Sequence, residues 1–106
     1  MILRRCALIV SAIVFVAAAA PFANAADPAQ GEILAKRWCA SCHVVAPDQT
    51  SGNTQVPPFS AIAKKPGLTA AGLALFLLNP HPLMPDMTLS RSEAAALAAY
   101  IGTQNK

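Results

Sequence analysis

Five consecutive residues, Cys39-Ala40-Ser41-Cys42-His43, carry the chemistry of this 106-residue chain. Two thiols separated by two residues, with a histidine directly after the second, read as a c-type haem attachment site. Each thiol adds across one vinyl group of the porphyrin, and the short gap lets both sulfurs reach one edge of the ring. The histidine then lies under the ring and places an imidazole nitrogen on the iron. Two rival readings are weaker. A thiol–disulfide redox site would use Cys39 and Cys42, but such sites come inside a βαβ pattern, and the chain has no convincing strands. A zinc site needs four ligands, and Cys39, Cys42, His43 and His81 make a set on paper. Cys42 and His43 are adjacent, however, a poor geometry for two ligands of one tetrahedral ion.

A second stretch, Pro80-His81-Pro82-Leu83-Met84-Pro85-Asp86-Met87, suits the opposite face of such a ring. Its prolines fix φ and stiffen an extended loop, and a rigid loop can present a thioether to the iron. Sulfur is a soft ligand that favours ferrous iron and raises the reduction potential. A lone methionine is usually core filling, but a haem demands a group on that face. Met84 is the preferred sixth ligand, with Met87, His81 or an open site as alternatives. His81 otherwise reads as a solvated loop histidine.

These residues need helices to hold them. Asp27-Pro28 is a cap and first-turn pair, opening a helix that runs to the first cysteine. Gly31, Leu34, Ala35 and Trp38 share one face of it, with Lys36 and Arg37 toward water. Gly31 offers a notch where another helix crosses, and Trp38 is expected to pack at the haem rim. Residues 44–58 are rich in turn formers and show no apolar period. Pro57-Pro58-Phe59 closes that stretch, where the Pro58 carbonyl is expected to accept the second imidazole N–H of His43. A short helical turn follows from Phe59 to Lys64-Lys65. Thr69 caps a helix to Leu78 with Ala70, Leu73, Phe76 and Leu77 inward, and Asn79-Pro80 stops it. Ser90 and Glu93 form a capping box for a last helix reaching Gly102. Its apolar face of Ala94, Leu97, Tyr100 and Ile101 should pack on the first helix at Gly31.

Residues 1–25 read as a cleavable signal peptide. Arg4 and Arg5 precede an apolar run from Ala7 to Ala20, and Ala23-Asn24-Ala25 is a small-x-small cleavage site before Ala26. The run is short for a membrane span and ends at Pro21, so export without a permanent anchor is expected. Cys6 leaves with the leader. The whole chain has a net charge of +3, but residues 26–106 hold six basic and five acidic side chains. That near balance argues neither for nucleic acid nor for an anionic membrane. Residues 26–106 suffice for one domain. Their only cysteines are Cys39 and Cys42, so no disulfide is spare, and a core this small is marginal without a staple. A covalently held haem would be that staple.

With these motifs the chain resembles the class I cytochromes c, the small exported monohaem kind of proteobacteria. The resemblance spans essentially all of residues 26–106. It rests on Gly31-x-x-Leu34-Ala35, Cys39-x-x-Cys42-His43, Pro57-Pro58-Phe59, Met84-Pro85 and Leu97-x-x-Tyr100-Ile101, in that order. It implies an all-α cytochrome c fold, with about four short helices packed around one covalently attached haem c. It also implies His43 and Met84 as axial ligands, because Met84 has the family's spacing to the terminal-helix aromatic and Met87 stands too close. One departure is Ala35, where the family often has an aromatic; Trp38 would compensate.

The implied function is one-electron transfer in the periplasm by a monomer with no substrate chemistry. Electrons would pass through an exposed haem edge to redox partners such as a dehydrogenase, an oxidase or a bc1-type complex. Lys36, Arg37, Lys64 and Lys65 are candidates for steering such encounters. Haem-attachment machinery is a further expected partner. The alternatives are a dedicated haem subunit of a periplasmic dehydrogenase or oxidase, or a ligand-binding or sensing haem protein if Met84 does not ligate.

Overall fold

A computed structural model describes residues 26–79 and 83–106. The expected signal peptide and His81 lie outside the described residues. Four helices follow one another: α1 (Pro28–Trp38), α2 (Phe59–Ala63), α3 (Ala70–Leu78) and α4 (Arg91–Gly102). The described residues contain no strand. None of their helices is long and apolar enough to cross a membrane.

Helices α1, α3 and α4 each begin where a side-chain cap supplies an acceptor for an otherwise orphaned N–H. Asp27 accepts from the Ala29 N–H at 2.9 Å, with Pro28 in the first turn. Thr69 Oγ1 accepts from the Gly72 N–H at 3.0 Å. At α4 the capping box is complete. Ser90 Oγ accepts from the Glu93 N–H at 3.1 Å, and Glu93 Oε2 accepts from the Ser90 N–H at 2.7 Å.

Helix packing among the described residues runs through α4, on which α1, α2 and α3 each pack. The α1–α4 crossing is centred on Gly31. A Cβ there would lie 2.6 Å from the Ala96 carbonyl carbon and 2.7 Å from Tyr100 Cβ, so only glycine lets the backbones approach this closely. Ala94, Leu97, Tyr100 and Ile101 are all buried against α1 and the core.

The α1 stripe is buried at its start, and the α3 stripe differs from the sequence expectation. Gly31, Leu34 and Ala35 are buried, but Trp38 is 42% exposed. It stands two turns beyond the crossing, about 10 Å along the axis, directly before Cys39. On α3 only Leu73 and Leu77 are buried, while Ala70 is exposed and Phe76 is 42% exposed. This helix is apolar on almost every side, so periodicity could not single out the face that meets α4.

Candidate haem-attachment site

Cys39 follows α1 directly, and the chain closes one more turn there. The Cys39 carbonyl accepts from the N–H of Cys42 at 3.1 Å and of His43 at 2.8 Å. The Cys39 N–H itself donates back to Ala35 at 2.9 Å. The motif is thus a helical turn grown from the end of α1, and the α1–α4 crossing fixes where it stands. The two thiols are not joined. Cys39 is buried and Cys42 is exposed, and burial pushes the Cys39 thiol up to about 11.

His43 is half-buried. Its Nδ1–H donates to the Pro57 carbonyl at 2.6 Å, which leaves Nε2 as the nitrogen with a free lone pair. The acceptor is Pro57, where the sequence pointed to Pro58. The Pro58 carbonyl is already engaged, because Pro58 is the N-cap of α2 and accepts from the N–H groups of Ala61 and Ile62. The capping rule contained that answer, since an N-cap residue's carbonyl accepts the first intrahelical bond. Phe59 packs beside the imidazole, ring centroids 5.6 Å apart, and meets Tyr100 edge-on at 6.3 Å.

The stretch after the motif is irregular but tightly bonded. Asn53 N–H donates to the Cys42 carbonyl and Phe59 N–H to the Val44 carbonyl, both at 2.9 Å. Gly52 lies close against this segment, where a Cβ would come 2.9 Å from a Val44 methyl. Tyr100 Oη donates to the Val45 carbonyl at 2.6 Å, tying α4 to the residues after His43. Gln49 makes four further hydrogen bonds here. Sequence reasoning missed it, because a glutamine in an aperiodic loop carries no pattern.

Met87 is buried in the core at 5% exposure, whereas Met84 is half-buried against the core edge. Among the described residues, no three His, Cys, Asp or Glu side chains gather into a group able to hold a metal ion. The donor set fits a c-type haem: two free thiols two residues apart in sequence and an imidazole whose Nδ1 is engaged while Nε2 is left free.

The comparisons with known proteins bear on the family. The family model described as "Cytochrome C oxidase, cbb3-type, subunit III" matches residues 26–101. Cytochrome c-552 of Bradyrhizobium diazoefficiens is 52% identical over 88 residues, covering 83% of this chain and 85% of that protein. No solved structure matches. The helical fold, the motif and these matches define a small bacterial monohaem cytochrome c of class I. The chain belongs to the family of that matching model. It carries a covalently bound c-type haem and is an electron-transfer protein, not an enzyme, whose partners are redox proteins.

Proposed function

We propose that this protein is a periplasmic one-electron carrier, with Cys39 and Cys42 as the haem thioethers and His43 and Met84 as the axial ligands. The observation that carries this reading is the 2.6 Å bond from His43 Nδ1–H to the Pro57 carbonyl. It fixes the tautomer and aims Nε2 away from the loop, as ligating histidines require. Met84 is favoured over Met87 because the Met87 side chain already lies within the protein core, whereas Met84 is half-buried at its edge. The bound haem supplies the one-electron couple. His43 and Met84 would fill both axial positions and so exclude substrate from the iron. Residues 1–25 would direct export and then be removed, and mass spectrometry of the periplasmic protein should find Ala26 as its first residue.

The test is an optical spectrum of the holoprotein with Met84→Ala and Met87→Ala. The wild type should show the weak long-wavelength band of methionine-ligated ferric haem. Met84→Ala should abolish that band and make the ferrous form bind carbon monoxide, and Met87→Ala should keep the band. The reverse pattern would assign Met87. A band surviving both substitutions would remove methionine from the iron.

The description of the matched family favours a second reading, a haem subunit docked on a membrane oxidase. Co-purification of an oxidase with the tagged protein from solubilised membranes would support it. Recovery of the protein entirely from the periplasmic fraction would support the free carrier.

A further inference from the structure

The backbone groups around the haem motif are satisfied from two sources. The carbonyls of Cys39, Cys42 and Val44 accept from backbone N–H groups. Those of Ala40 and His43 are taken by one side chain, Gln49. Its Nε2 donates to Ala40 at 3.1 Å, to His43 at 2.8 Å and to Ser51 at 2.8 Å. Its Oε1 accepts from the Val45 N–H at 2.9 Å. A primary amide has two N–H donors, so three carbonyls share them.

We propose that Gln49 is the positioning residue of the haem site, fixing the backbone from which the His43 imidazole projects. This rests on the reading of Cys39, Cys42 and His43 as the residues that hold the haem. The imidazole is held at its ring and at its root. Pro57 holds the ring through Nδ1, next to the side-chain attachment, and leaves the Nε2 tip free. The root is the His43 peptide, whose N–H is bound to Cys39 and whose carbonyl is bound to Gln49.

The next residue but one, Val45, is gripped on both sides, its N–H by Gln49 and its carbonyl by Tyr100 Oη at 2.6 Å. One amide therefore couples both flanks of Cys42 to the buried end of α4. Few side chains can do this. Asparagine is a methylene too short to span the same groups, and a glutamate carboxylate would turn acceptor oxygens toward three carbonyls.

The experiment is proton NMR of the ferric holoprotein, where the haem methyl shifts report the axial imidazole plane, combined with amide hydrogen exchange at Val45. Covalent haem on the wild type is checked first, and its absence would sink the site reading rather than this role.

Gln49→Met removes all four hydrogen bonds at similar length. It should redistribute the methyl shifts and speed Val45 exchange at least tenfold. Gln49→Glu keeps the acceptor for Val45 but loses the donors, so exchange should stay near wild type while the methyl shifts move. Ser51→Ala, which leaves the Ser51 carbonyl in place, should change neither. Wild-type methyl shifts in both Gln49 variants with haem attached would overturn the proposal. Should neither variant fold, the wild type still decides. Fast exchange of the Gln49 side-chain N–H protons would overturn the proposal, and slow exchange with two resolved signals would support it.

Discussion

Cys39 and Cys42 belong to one motif and differ in access to solvent, which governs how readily a thiol meets a reagent. Cys39 is buried with its thiol pushed up to about 11, and Cys42 is exposed. Alkylation of the haem-free protein at neutral pH should therefore label Cys42 about tenfold or more faster than Cys39, as peptide mapping would show. The same burial links stability to pH. The folded form keeps the Cys39 proton that an unfolded chain releases near 9.0. Its contribution is complete below that value and is lost as pH rises toward about 11. Denaturant titrations of the haem-free protein across this window should show the midpoint falling, and a midpoint that holds or rises would refute the linkage. Thr88 is backbone-strained, at φ 48, and its N–H donates to Asp86 Oδ1 at 2.9 Å. A β-branched residue is poorly suited to the left-handed region, which asparagine enters more readily. Thr88→Asn should stabilise the protein by about 1 kcal/mol, read as a higher melting temperature.

At the scale of elements, the α1–α4 crossing reverses an ordinary rule. Gly→Ala inside a helix usually stabilises by about 1 kcal/mol, but at Gly31 the added methyl meets backbone of α4 and Tyr100 Cβ. Gly31→Ala should destabilise by about 1–3 kcal/mol as an overpacking change, and thermal melts would report the sign. This crossing was legible in the sequence as one of two readings of Gly31, a notch for a crossing helix or merely a weak helix position. The close approach to Ala96 and Tyr100 decides for the notch. The helix starts were legible as well, since Asp27, Thr69 and Ser90 each announce a cap. The buried side of α3 was not, because Leu75, Phe76 and Leu78 are as apolar as Leu73 and Leu77. Nor were the contacts of residues 44–58. The bonds of Gln49 join groups that only the folded loop brings together, and no periodicity precedes them. The acceptor for His43 Nδ1–H is Pro57 rather than Pro58, because the Pro58 carbonyl is taken up as the N-cap of α2.

The whole molecule depends on α4, because α1, α2 and α3 all pack on it. Leu97 is fully buried there. Leu97→Ala should cost about 2–5 kcal/mol, enough to unfold most of the haem-free protein in a domain this small. Circular dichroism of that variant should show lost helix, with partial recovery when haem is attached. This dependence also bears on biosynthesis. A chain made from its amino end presents Cys39 and Cys42 long before Tyr100, whose hydroxyl secures Val45 across 55 positions of sequence. The fold therefore cannot close around the motif until the last helix exists, and once it closes Cys39 is buried. Covalent attachment at the buried Cys39 thiol thus requires the chain open at this closure, either before α4 packs or after it comes away.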